Sequence, residues 1–156
     1  MADITDSRKK LDLAKECLDK KDYANFILNS QMGVETALKS LLDMLGVSYK
    51  RKQKDDREAF VHDVSDSLKD AFDKLLPYYA EYDQEYIKQR LAKAGVMLKC
   101  LLTLKDFCIY GNKNLQIAGS KIFDFSFREF AVAIDKLAGD VYWFANEAIL
   151  RVEQKG

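Results

Sequence analysis

Residues 22–45, DYANFILNSQMGVETALKSLLDML, decide the fold. Tyr23, Phe26, Ile27, Val34, Ala37, Leu38, Leu41 and Leu45 recur at spacings of three and four, which puts them on one face of a helix. Asp22 is placed to cap its first turn, because a carboxylate there can accept from amides that the helix leaves unpaired. Gly46 is placed to end it. At ~1.5 Å per residue, a helix of this length crosses a small domain. Its apolar stripe is too wide for a two-stranded seam and asks for several partner helices.

Working outward, residues 5–21 read as a first helix, capped by Thr5 or Asp6, with Leu11, Leu13, Ala14, Cys17 and Leu18 facing inward. The short polar corner Lys20-Lys21-Asp22 makes the first two helices an antiparallel hairpin. Residues 65–76 read as a short third helix that Pro77 stops or kinks. Residues 78–109 and 126–152 read as two more long helices, with Phe130 and Leu137 among the core positions of the last. The expectation is an all-α chain: an up-and-down four-helix bundle with one short additional helix, as a single domain over residues 1–156.

Composition agrees. One proline and seven glycines in 156 residues leave few breaks, which favours long helices. Lys plus Arg and Asp plus Glu number 25 each, so no global charge draws the chain to nucleic acid or to a membrane surface. No apolar run approaches the ~20 residues that span a bilayer, and the first ten residues lack a signal core. A cytoplasmic protein is expected. Cys17, Cys100 and Cys108 lack metal-ligand spacing and read as ordinary buried thiols of a reduced compartment. A single histidine excludes a pair at zinc spacing, no phosphate-binding glycine loop occurs, and no GxSxG elbow is present. No metal and no cofactor are expected.

Four features carry possible chemistry. Gln31, Glu35 and Lys39 lie four apart beside the apolar stripe and read as a solvated flank, with a ligand-facing row as the alternative. Lys50, Arg51, Lys52 and Lys54 form a basic loop, read either as a solvated connector or as a phosphate-binding rim. Arg57 and His62 have a spacing at which a cation and an imidazole can polarise a phosphodiester and move a proton. The plainer role for His62 is a hydrogen bond to backbone or to Asp63 that sets the third helix's approach. Tyr79, Tyr82 and Tyr86 share a face at the start of the 78–109 helix and, with Trp143, offer a dimer or partner surface, or simply packing.

The run SQMGVETALKSLLDMLGV, a polar loop, and then VHDVSDSLKDAF resemble the HEPN domain (higher eukaryotes and prokaryotes nucleotide-binding), in its stand-alone prokaryotic and archaeal forms. Gln31, Glu35, Ala37, Leu38, Lys39, Leu41 and Leu42 match that family's glutamine–glutamate–leucine-rich helix. His62 and Asp63 match the His-Asp that opens its next short helix. The resemblance implies a four-helix bundle, often dimeric, linked to nucleotide or RNA binding. Some members are ribonuclease toxins, and some pair with a small nucleotidyltransferase. Cleaving members carry an arginine, four to six residues, then a histidine between the last long helices. Here residues 110–130 hold Lys121 and Arg128 but no histidine, and Arg57 with His62 lies elsewhere in the bundle.

The leading expectation is a non-catalytic HEPN-like domain that binds a nucleotide, RNA or a partner protein, with Lys50–Lys54, Arg57 and His62 as its phosphate-facing rim. The rivals are a metal-independent ribonuclease toxin using Arg57 and His62, and a pure interaction module working through Tyr79, Tyr82, Tyr86 and Trp143. A homodimer is expected in each case.

Overall fold

The computed structural model describes residues 2–49, 51–52, 58–59, 61–110 and 127–155. Helix α2, Tyr23–Leu45, is the axis of the molecule. The Asp22 carboxylate accepts from the Asn25 amide at 3.3 Å and from the Asn25 side chain at 2.7 Å. At the other end Gly46 takes φ +68°, a left-handed conformation that only glycine adopts without steric cost. Its amide donates to the Asp43 carbonyl, and the Val47 amide donates to Leu42 at 2.9 Å. That double closure satisfies carbonyls the helix would otherwise leave open, and it turns Val47 into the core.

Four other helices surround α2: α1 (Ile4–Asp19), α3 (Leu68–Leu75), α4 (Gln84–Tyr110) and α5 (Arg128–Lys155). Phe26, Ile27, Val34, Ala37, Leu38, Leu41 and Leu42 of α2 are all fully buried. The fold is therefore the expected helical bundle of α1, α2, α4 and α5, with α3 as the short addition. Two two-residue strands, β1 (Arg51–Lys52) and β2 (Glu58–Ala59), pair antiparallel with Arg51 opposite Ala59. Among the described residues, no helix is long and apolar enough to cross a membrane.

The α1–α2 hairpin is drawn tight by glycine. The Ser7 hydroxyl donates to the Gly33 carbonyl at 2.6 Å, and both residues are buried. A Cβ on Gly33 would lie 2.6 Å from Leu11 Cδ2, so the helices approach only because none is there. The cap of α1 is Asp3, two residues before Thr5 and three before Asp6, and it accepts from the Thr5 amide and hydroxyl. The corner closes with Lys21 at φ 60° and the Asp22 amide donating to Cys17 at 2.8 Å.

Boundaries further along differ from expectation. Residues 65–67 and 76–78 are 3-10 turns flanking α3, and Pro77 sits inside the second. A third such turn, Glu81–Asp83, precedes α4, so the long helix starts at Gln84 rather than at residue 78. Phe130 and Leu137 were expected in the core but are 53% and 45% exposed. Their spacing is right for a helix face, yet among the described residues no helix packs on that face of α5.

Candidate functional site

Glu35 is the centre of the polar chemistry. Its position on α2 places a carboxylate among apolar neighbours, with the side chain 11% exposed. A buried carboxylate needs partners, and three side chains supply them. Gln31, one turn earlier, donates its amide to Oε2 at 3.0 Å. Lys39, one turn later, brings its ammonium to 3.3 Å from Oε1. His62, from the segment before α3, places Nδ1 2.9 Å from the same Oε1. The row Gln31–Glu35–Lys39 is thus buried and bonded, not the solvated flank its spacing suggested. The Lys39 ammonium also lies 5.6 Å from the centre of the Tyr49 ring. Burial, with Asp43 bonded beside it, pushes the Tyr49 hydroxyl up to about 12.

His62 differs from the others in exposure: its side chain is 62% accessible. With Nδ1 on Glu35, the ring is fixed in orientation, and among the described residues nothing bonds Nε2. A carboxylate on one ring nitrogen sets the tautomer and presents the other to solvent or ligand. The partner is Glu35, 27 residues away in sequence, rather than backbone or Asp63.

Asp63 has its own work. It accepts from the Ser65 amide at 3.0 Å and from the Ser65 hydroxyl, which starts the turn into α3, and Lys99 of α4 reaches it at 3.0 Å. Burial alone would raise this carboxyl, but the Ser65 hydroxyl, the Lys99 ammonium and the Ser65 amide outweigh it and hold the group below its ordinary value. The His62–Asp63 step is therefore tied to α2 on one side and to α4 on the other.

That tie has a pH consequence. A carboxyl with a lowered folded pKa adds stability that is present above its ordinary value near ~4 and fades as pH falls through the folded value. Asp63→Asn should therefore destabilise the protein at neutral pH, and the gap to wild type should close as pH drops below about 4. Urea denaturation across pH measures it. An unchanged gap at acid pH would mean that the Asp63 charge contributes nothing.

The other expected site residues fall unevenly. Lys50, Lys54 and Arg57 lie outside the described residues, so the Arg57–His62 pair has no described geometry. Arg51 and Lys52 belong to β1, within the chain that leads to His62. Tyr79 is buried at 8% exposure and lies before α4, so it shares no helix face with Tyr86. Its ring sits under the Arg151 guanidinium at 4.3 Å, and burial pushes its hydroxyl up to about 12. Tyr82 is 87% exposed and Trp143 56% exposed, with Arg8 stacked 5.2 Å over the Trp143 ring. Cys108 is buried as expected, whereas Cys100 is exposed. Among the described residues no cluster of histidine, cysteine and acidic side chains is fit to hold a metal ion. Lys99 escaped the sequence reading entirely, because nothing local marks a lysine whose partner is 36 residues distant.

No family model, curated protein or solved structure matches this chain.

Proposed function

We propose that the chain is a HEPN-like domain that binds a phosphate-bearing ligand, a nucleotide or RNA, on the face where His62 stands on Glu35 beside the basic β1–β2 segment. The observation that carries this reading is an exposed imidazole held at 2.9 Å by a nearly buried carboxylate. Fixing an exposed ring in this way adds little to a core, but it orients Nε2 for a ligand. A ring that carries a proton on both nitrogens donates Nε2–H to a phosphate oxygen while Nδ1–H stays on Glu35, the Lys99 ammonium touches Asp63 directly, and the Lys39 ammonium reaches His62 through their shared Glu35. In further support, Gln31, Glu35 and His62 carry the family resemblance in two separate segments, and these three side chains meet in space.

Fluorescence anisotropy with labelled single-stranded RNA, and separately with labelled ATP, tests the proposal. Binding should weaken steeply between roughly 50 and 200 mM salt. His62→Ala should weaken it about tenfold, ~1.4 kcal/mol. No binding of either ligand at low salt, or binding that His62→Ala leaves unchanged, would refute it.

The same contact also favours a second reading. An imidazole oriented by a carboxylate, with Nε2 free, is equipped for general acid–base work, as a metal-independent ribonuclease requires. Cleavage of the labelled RNA, lost in His62→Ala while the circular dichroism spectrum is kept, would select it.

A further inference from the structure

Helices α4 and α5 both lie on α2 but barely touch each other, and a groove of about 570 Å³ runs between them. Val96 on α4 and Phe130 and Leu137 on α5 belong to its walls and are 62%, 53% and 45% exposed. Exposed apolar side chains gathered in one concave surface mark a binding site, and this volume is that of a small-molecule site. Its charges all stand at one end: Arg90 and Lys93 on the α4 wall, Asp140 on the α5 wall. Arg90 and Asp140 also border one smaller hollow with Phe144, so the charged ends of the two walls coincide. Arg90 lies 5.1 Å from the centre of the Tyr86 ring, but among the described residues none of the three charges has an ion-pair partner. From there to Leu104 on α4 and Phe130 on α5 the lining side chains are uncharged. At ~1.5 Å per residue, the walls Arg90 to Leu104 and Phe130 to Phe144 are each ~21 Å long.

We propose that the α4–α5 groove binds a long-chain fatty acid, with its tail along the apolar walls and its carboxylate on Arg90 and Lys93. An extended palmitate is about as long as the walls, and it is polar at one end only, as the groove is. Two cations and one carboxylate leave that end of the groove positive, and the ligand's carboxylate balances it. Each methylene of the tail gains by leaving water for the apolar walls. A peptide helix of the same length, ~10 Å across, displaces far more than the volume of the groove and could only rest on its rim. The proposal goes beyond the phosphate-binding reading and uses none of that site's residues.

Displacement of a fluorescent fatty acid by palmitate, kept below its micelle concentration, reads the site on the whole chain. Palmitate should bind once per chain. Hexadecanol, which has the tail without the charge, should bind about tenfold more weakly. Octanoate, which has the charge and a short tail, should bind more than about a hundredfold more weakly. Arg90→Gln combined with Lys93→Gln should bring palmitate down to the level of hexadecanol. Ala133→Trp sets an indole in the groove from an exposed position and should abolish binding. Cys100, an exposed thiol on the groove wall, gives a local readout. Bound palmitate should slow its alkylation by a maleimide about tenfold and leave Cys17 on α1 unaffected. Absence of saturable binding overturns the proposal. So do equal affinities for palmitate and hexadecanol, binding that a folded Ala133→Trp chain retains, or Cys100 alkylation that palmitate does not slow. If Ala133→Trp fails to fold, the protection of Cys100 in the wild type decides in its place.

Discussion

Leu38→Ala is expected to lower the free energy of unfolding by roughly 2–5 kcal/mol. Leu38 is fully buried near the middle of α2, the helix that packs against all the others. Removing its branched end deletes contacts that no single neighbour can replace. Filling the void would require helices on several sides of α2 to move together, and each is held by its own packing. A chain of this size loses ~2–4 °C of melting temperature per kcal/mol, so the thermal shift should be plain. Leu13→Ala is the matched control: Leu13 is 44% exposed on α1, and its loss should stay within about 0.5 kcal/mol. Urea titrations of the two variants decide the matter. Equal losses would mean that α2 is not the centre of the core.

Gly33→Val should be nearly as damaging, at roughly 2–4 kcal/mol, for the opposite reason. The new Cβ would meet Leu11 Cδ2 at 2.6 Å and Cγ at 2.7 Å, with the Ser7 carbonyl at 3.4 Å. A lone methyl could be met by swinging Leu11 aside, and alanine would recover helix propensity in return. The two γ-carbons of valine leave no such escape and force α1 away from α2. The Ser7–Gly33 hydrogen bond then breaks, leaving a buried hydroxyl unpaired. Leu11→Ala should make room, so the double variant should be more stable than the sum of the single losses predicts. Strict additivity would place the strain elsewhere.

The parts of this structure that the chain announces are those set by neighbours in sequence. The stripe and both caps of α2 depend on residues within a few positions, and all three appear where the pattern puts them. Phe130 and Leu137 show the limit of periodicity: it identifies a helix face but not whether another helix lies on it. The start of α4 was misplaced because tyrosines and acids at 78–83 suit a helix as well as the two 3-10 turns they form. The candidate site was half legible. Gln31, Glu35 and Lys39 could be seen to share an edge, but a buried polar row and a solvated one have the same spacing. What separates them is His62 and the burial of Glu35, and both come from the tertiary fold.

The double closure of α2 also governs how the molecule breathes. A helix with free ends frays, and its amides trade hydrogen for deuterium through small local openings. Asp22 and the Gly46–Val47 turn hold the ends of α2, and neighbours surround its middle. Amides around Leu38 therefore have no local route to solvent and wait for the whole domain to open. Their exchange rates read out the global free energy directly, residue by residue and without denaturant, while the exposed end of α5 exchanges on a much shorter clock.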